Sequence, residues 1–255
     1  MQDNVGKLKR FFEENPKVAV AFSGGVDSSY LLYAARQTAR RVKAYIVKSS
    51  FQPQFELDDA LRLAKELNVD TEVIEVDVLS DQDVVSNPPR RCYYCKRRLF
   101  SAILEHAAKD GFSLVLDGTN ASDDAGDRPG MVALRELAVE SPLRKSGLTK
   151  SDIRELSRNV GLFTWDKPAY ACLATRIPTG QPLDERVLRR TEAAEAFLMS
   201  LGFSDFRVRT IGEMAKIQVV CGQLPLLLQH RAEIISKLKQ DYQAVLLDLE
   251  TRDGQ

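Results

Sequence analysis

The residues most able to do chemistry lie at Ser23-Gly24-Gly25-Val26-Asp27-Ser28-Ser29, where the apolar run Val18 to Phe22 gives way to an apolar, Ala-rich helix, Tyr30 to Ala39. Strand, glycine turn and helix start together form an anion site. Adjacent glycines let the backbone approach an oxyanion, helix-start N–H groups point at it, and the serine hydroxyls add donors. Asp27 repels phosphate unless a divalent cation lies between them, so the pattern implies a polyphosphate with Mg²⁺. No Gly-Lys-Ser/Thr closes the loop and a dinucleotide fingerprint's spacing is missing, which excludes two common phosphate loops. The plain alternative is a strand-to-helix turn that binds nothing. A second polar loop, Gly118-Thr119-Asn120-Ala121-Ser122-Asp123-Asp124, follows a strand-like segment, with Asp127-Arg128-Pro129-Gly130 after it. It can add donors and carboxylates at the same phosphate–metal region, or be an ordinary surface loop.

The sulfur chemistry is concentrated in Cys92-Tyr93-Tyr94-Cys95 and Cys172. A single Cys-x-x-Cys can be half a zinc site, a redox dithiol or two ligands of an iron–sulfur cluster. Zinc commonly takes two close pairs, and the chain has no second Cys-x-x-Cys. Cys172 sits in a Pro/Gly-punctuated loop beside Arg176, which favours its thiolate. Cys221 closes the apolar run Ile217 to Val220 and reads as a buried, inert thiol. Three thiolates suit a [4Fe–4S] cluster with one open iron that can carry sulfide; alternatively, Cys172 gives up its own sulfur and becomes dehydroalanine. Arg207 and Arg209 share one face of a strand and suit a phosphate or carboxylate, as does Arg176, although arginines on an edge strand are also simply solvated. Glu192 and Glu195 lie on a charged helix and by default are solvated, with Glu195 a candidate metal or substrate ligand.

The elements that must position these groups alternate. Helix 4–14 precedes the first strand, Arg41 to Lys48 and Thr71 to Asp77 are further strands, Glu56 to Asn68 and about Tyr94 to Asp110 are helices, and Ser113 to Asp117 is a fourth strand. This is the pattern of an α/β fold with a doubly wound parallel sheet and ligands at the strand C-terminal ends. A helix begun by Leu148 to Arg154 ends at Gly161. From Trp165 the pattern changes to a helix (Asp184 to Leu201), strands at Phe206 to Thr210 and Met214 to Cys221, a long helix Leu224 to Gln240, and a strand Ala244 to Asp248. We divide the chain into a nucleotide domain, 1–164, and a smaller α+β domain, 165–255.

Among the 255 residues, 36 basic and 36 acidic side chains cancel, so no global field draws the protein to nucleic acid or a membrane. Met1-Gln2-Asp3-Asn4 carries no signal-peptide pattern and no apolar run reaches transmembrane length, so a cytoplasmic protein is expected, in which structural disulfides are rare.

Ser-Gly-Gly-Val-Asp-Ser resembles the PP-loop of the ATP pyrophosphatases (the adenine nucleotide α-hydrolase type), which cut ATP between the α- and β-phosphates and adenylate an oxygen. With Arg91-Cys92-Tyr93-Tyr94-Cys95-Lys96, Asp117 to Asn120, Ala171 to Pro178 and Arg207-Val208-Arg209, the chain resembles the LarE family over nearly its whole length. That resemblance implies an ATP-dependent sulfur transferase acting on pyridinium-3,5-biscarboxylic acid mononucleotide, on the way to the nickel-pincer nucleotide cofactor of lactate racemase. ATP and Mg²⁺ would be held by Ser23, Gly24, Gly25, Asp27, Ser28, Ser29, Gly118, Thr119, Asn120, Asp123 and Arg128, with Asp27 and Cys172 catalytic. Substrate would meet Arg176, Arg207, Arg209 and Glu195. The family has a form that sacrifices the cysteine matching Cys172 and a form with a [4Fe–4S] cluster on three cysteines; the presence of Cys92, Cys95 and Cys172 favours the cluster form. A small-molecule nucleotide is then the partner, sulfide comes from a donor the sequence does not name, and a homo-oligomer is expected. Related enzymes often place an acid where Gln218 falls, which puts a two-metal second domain in doubt. Three rivals stay open. A tRNA thiolase needs a basic RNA surface, and an amide-forming ligase needs an ammonia source. A non-catalytic zinc- or nucleotide-binding protein needs neither.

Overall fold

The computed structural model describes residues 1–123 and 128–252. Two compact units emerge: Met1–Val78 with Arg90–Lys167, and Leu79–Pro89 with Pro168–Gln255. Sequence patterning divides the chain once, at 164/165, whereas this grouping also assigns an early segment of eleven residues, 79–89, to the second unit.

The first unit runs α1 (Gln2–Glu14), β1 (Lys17–Ala21), α2 (Val26–Thr38), β2 (Arg41–Lys48), α3 (Gln54–Glu66) and β3 (Asp70–Glu75). After α4 (Gln82–Val85), which belongs to the second unit, come α5 (Arg91–Lys109), β4 (Val115–Leu116), α6 (Pro129–Glu136), α7 (Pro142–Lys145) and α8 (Lys150–Asn159). The strands form one parallel sheet in the order β3-β2-β1-β4. Alternate residues feed two cores, as a strand's period of two requires. Val18, Val20, Ala44 and Ile46 pack with α1, α2, α3 and α8 through Phe12, Leu31, Leu63 and Ile153. Ala19, Tyr45, Ile74 and Val115 pack on the other face with Ile103, Ala107 and Leu134 of α5 and α6. Both faces are therefore covered, and the expected doubly wound α/β fold is what the chain adopts. The order also fixes the site. Connections from β1 run one way to β2 and β3, while β4 lies on β1's other side, so loops leaving β1 and β4 part at a topological switch point.

The second unit contains α4, α9 (Glu185–Ser200), β5 (Arg207–Ile211), β6 (Met214–Gln218), α10 (Leu224–Gln229), α11 (Arg231–Leu238) and β7 (Ala244–Leu247). Its sheet runs β5-β6-β7, with β5/β6 antiparallel and β6/β7 parallel. Val208, Ala215 and Ile217 meet Leu198, Leu227, Ile234 and Leu238 in its core. Asn87, fully buried, ties the early segment in: its amide donates to the carbonyls of Pro178 at 2.9 Å and Gln181 at 3.0 Å, and its carbonyl accepts from Gly180 N at 2.8 Å.

Two expectations are corrected here. The single helix Leu224 to Gln240 is broken at His230, which caps α10 and starts α11 with φ −92° and ψ 10°. Cys221 is not a buried strand end: β6 stops at Gln218, and Cys221 opens an exposed 3₁₀ turn, Cys221–Gln223. Gly222 and Pro225 explain this, since the chain must leave the sheet to place Pro225 in the first turn of α10. Among the described residues no helix is long and apolar enough to cross a membrane.

Candidate functional site

The loop leaving β1 is set by steric limits. Gly24 takes φ +73°, and a Cβ there would stand 2.9 Å from Ala60 Cβ and 3.1 Å from the α3 backbone, so no side chain fits. Ser28 braces the turn: its hydroxyl donates to Gly25 O at 3.1 Å and lies 3.1 Å from Ser23 Oγ. Ser29 is fully buried within α2. Gly25 caps α2 without a side-chain bond, which leaves the positive end of that helix's dipole for a ligand.

Asp27, in the first turn of α2, is the focus of this site. Its Oδ2 accepts from Lys150 Nζ at 2.6 Å, while its Oδ1 is buried and has no hydrogen-bond partner. Burial pushes its carboxyl above the usual range, opposed by Lys150 and reinforced by Asp123. A buried carboxylate oxygen without a donor is costly unless a cation or donor arrives. That vacancy in bonding fits a hydrated divalent cation taking one protein carboxylate and phosphate oxygens.

The loop after β4 closes onto this one. A Cβ on Gly118 would lie 2.9 Å from Ser28 N and 3.1 Å from Ser28 Cα, so the two loops pack backbone to backbone. Asp117 organises it, accepting from Thr119 Oγ1 and Ser141 Oγ, each at 2.5 Å. Asn120 N donates to Asp123 Oδ2 and Ser122 N donates to Asn120 Oδ1, both at 2.8 Å, an Asx-type turn. Thr119 and Asn120 are consequently buried. Arg128 is exposed at the start of α6; Asp124 and Asp127 lie outside the described residues. The structure thus brings together Ser23 to Ser29, Gly118 to Asp123 and, unforeseen from the sequence, Lys150. The signal for Lys150 was the capping box Thr149-Lys150-Ser151-Asp152, which fixes the start of α8 beside Ser122.

The cysteines fall in different units. Cys92 and Cys95 lie near the start of α5, and Arg91 Nη2 lies 3.7 Å from Cys92 Sγ. Cys172 precedes a 3₁₀ turn, Leu173–Arg176, in the second unit. Among the described residues no group of three or more His, Cys, Asp or Glu side chains is arranged to hold a metal ion.

Arginines hold the Cys172 loop through its carbonyls. Arg176 Nη1 donates to Ala171 O at 2.8 Å and Cys172 O at 3.4 Å, Arg207 Nη2 to Ala169 O at 2.6 Å, and Arg209 Nη1 to Thr175 O at 3.1 Å. Arg176 is wholly buried and makes a two-pronged pair with Glu195, at 2.8 and 3.0 Å. Glu195 also accepts from Val208 N at 2.8 Å and from the Tyr170 hydroxyl, so four donors converge on its two oxygens. The default reading of Glu195 as solvated is therefore corrected: it is 1% exposed, because its position shares the buried stripe of Leu188, Thr191 and Leu198 on α9. Burial pushes the Tyr170 phenol up, and Glu195 adds to this. Burial, then the neighbouring Arg176 charge, pushes Arg207 down to about 10, still charged at neutral pH. Gln218 joins Arg209 (2.6 Å) to Asp248 (2.7 Å).

The sequence is similar to those of known proteins. A family model described as asparagine synthase covers residues 8–122, the stretch holding both nucleotide loops. The pyridinium-3,5-bisthiocarboxylic acid mononucleotide synthase of Lactiplantibacillus plantarum is 36% identical over 205 residues, 80% of this chain and 74% of its own. The chain belongs to the LarE family. The chain is also similar to uncharacterized proteins of Synechocystis sp. (32% identical; 98% of this chain, 95% of that one) and Methanocaldococcus jannaschii (30%; 96% and 95%). As a LarE-family member with a PP-loop domain, the chain is an ATP-dependent, sulfur-transferring enzyme.

Proposed function

We propose that this enzyme converts carboxylates of pyridinium-3,5-biscarboxylic acid mononucleotide to thiocarboxylates, in the synthesis of the nickel-pincer cofactor of lactate racemase. The observation that carries the nucleotide half of this reading is Asp27, whose Oδ1 is buried and unpartnered in the first turn of α2, a helix start with no side-chain cap. The similarity to the L. plantarum synthase of the bisthiocarboxylic acid mononucleotide supports this choice of substrate.

The chemistry is that of a poor electrophile made reactive. A carboxylate would have to expel oxide; once its oxygen attacks the α-phosphorus of ATP and pyrophosphate departs, the acyl carbon instead carries AMP as leaving group. Asp27 would hold Mg²⁺, whose charge would neutralise the departing pyrophosphate. Ser23, Gly24, Gly25, Ser28 and Ser29 contribute the first phosphate loop, with Gly118, Thr119, Asn120, Asp123 and Arg128 facing it from the second. Sulfur, a strong nucleophile near neutral pH, then attacks the acyl carbon and AMP leaves with the electron pair. Arg176, Arg207 and Arg209 hold the loop of Cys172 and offer positive charge to a substrate phosphate. In our reading Cys92, Cys95 and Cys172 are thiolate ligands of a [4Fe–4S] cluster, which supplies sulfide when bound; the ligand set fits by chemistry, being thiols only. The domains act as a nucleotide part, 1–164, and a sulfur and substrate part, 165–255.

The test is the iron, acid-labile sulfide and zinc content of protein purified without oxygen, followed by turnover with ATP and the biscarboxylate mononucleotide. About four irons per chain, lost in Cys92→Ala, support the cluster form. No iron, with a mass loss of one H₂S at Cys172 after turnover, replaces it by sacrifice of that cysteine: the Cβ–S bond breaks and dehydroalanine remains. Stoichiometric zinc with neither product nor mass loss would sink both.

A further inference from the structure

Lys150 has no part in the chemistry above, yet it holds the group on which the nucleotide site turns. Its backbone is fixed. Thr149 and Asp152 close a capping box around the start of α8 (Thr149 Oγ1 donates to Asp152 Oδ2 at 2.7 Å), and Lys150 N donates to Ser122 Oγ at 3.0 Å. Only its flexible four-carbon stem is free to move. The ammonium lies 2.6 Å from Asp27 Oδ2, with the lysine side chain 35% exposed and that of Asp27 21%. Arg154, a second cation acting on Asp27, is committed to the carbonyls of Trp165 and Lys167, both at 2.9 Å.

We propose that Lys150 is an exchangeable counter-ion: in the nucleotide-free enzyme it neutralises Asp27, and on arrival of a divalent cation with ATP it yields that carboxylate to the metal and turns onto the phosphates. This rests on the reading of the loop as an ATP–metal site. Charge balance favours the exchange. A dication on the free Oδ1 and an ammonium on Oδ2 would repel each other across one carboxylate, which favours release of the lysine. The triphosphate brings more negative charge than one dication cancels, and the displaced ammonium stands between the two loops that would cradle it. Removing Lys150 should then have opposite effects on metal alone and on nucleotide.

The experiment measures binding, not turnover. Free Mn²⁺ is titrated by electron paramagnetic resonance, and Mn²⁺-ATP by calorimetry, in the parent, Lys150→Met and Lys150→Gln. The expected result is tighter Mn²⁺ binding without nucleotide, by about tenfold, and weaker Mn²⁺-ATP binding by about tenfold or more. Lys150→Gln keeps a polar tip beside Asp27 and should show the same pair of signs if the Met variant folds poorly. Both affinities moving together, or neither moving, overturns the exchange while leaving the nucleotide site intact. Asp27→Asn should lose both; if it still binds Mn²⁺ like the parent, Asp27 is not the cation's seat and the exchange is wrong. A parent that binds no ATP overturns the functional reading and the exchange together.

Discussion

A single acid decides the state of the Cys172 loop. Glu195 receives four donors, and its partner Arg176 is as buried as itself. A buried pair of this kind adds little net stability, but removing one member strands the other charge. Glu195→Gln should therefore destabilise the second unit by about 3–5 kcal/mol and slow sulfur transfer, while ATP–pyrophosphate exchange in the first unit persists. Urea unfolding followed beside the exchange assay would show it; a cost under about 1 kcal/mol would mean that Arg176 finds water or another partner. The sequence made this residue only half legible. Asp27 declares itself because a carboxylate in a phosphate loop needs a metal, whereas Glu195 shares its helix with five other charged residues, Glu185, Arg186, Arg189, Arg190 and Glu192. The signal was its spacing, seven residues from Leu188 and three from Leu198, which puts an acid on an apolar stripe.

At the scale of elements, the nucleotide site is a consequence of strand order. β1 and β4 are neighbours with oppositely directed connections, and their loops meet where Gly118 touches the backbone of Ser28. Gly118→Ala places a methyl group 2.9 Å from Ser28 N, against backbone that cannot swing aside. We expect a loss of about 1–3 kcal/mol in stability and a weakened ATP site, read by thermal unfolding and by ATP calorimetry; an unchanged affinity would show that the loops separate freely. The sheet was legible because its strands are buried on both faces and read as continuous apolar runs bounded by turn residues. α6, which Pro129 opens, carries no strong sequence signal, and β4 is only two residues long, since strand length depends on pairing rather than on hydrophobicity. The break at His230 was hidden for a related reason. Leucines and isoleucines continue through Leu224 to Leu238, and no Gly or Pro marks the change of axis.

Across the whole molecule, acid stability should depend on a polar network made by residues that belong to neither nucleotide loop. Lys43 joins Glu72 at 2.7 Å and Asp110 at 2.5 Å, Tyr45 donates to Asp110 at 2.6 Å, and His106 Nδ1 lies 2.6 Å from Glu72. The Lys43 bond, before all else, holds Glu72 and Asp110 below their ordinary values of 4.5 and 3.8. Carboxyls lowered on folding contribute stability that is present above those ordinary values and is lost as pH falls through the lower folded ones. Lys43→Met should therefore flatten the decline in urea midpoint between about pH 5 and pH 3; a decline as steep as the parent's would assign it to other acids. The course of the chain has a consequence of another kind, in the time of synthesis. Leu79–Pro89 belongs to the second unit, and the Asn87 side chain waits for its bond to the Pro178 carbonyl, 91 residues later. At a translation rate of about 5–20 residues per second, the ribosome presents that segment roughly 5–18 s before its partners exist. A nascent chain thus carries an unclaimed strip between two stretches of the first unit, and the second unit cannot be inherited, swapped or expressed as a single cassette cut after Lys167.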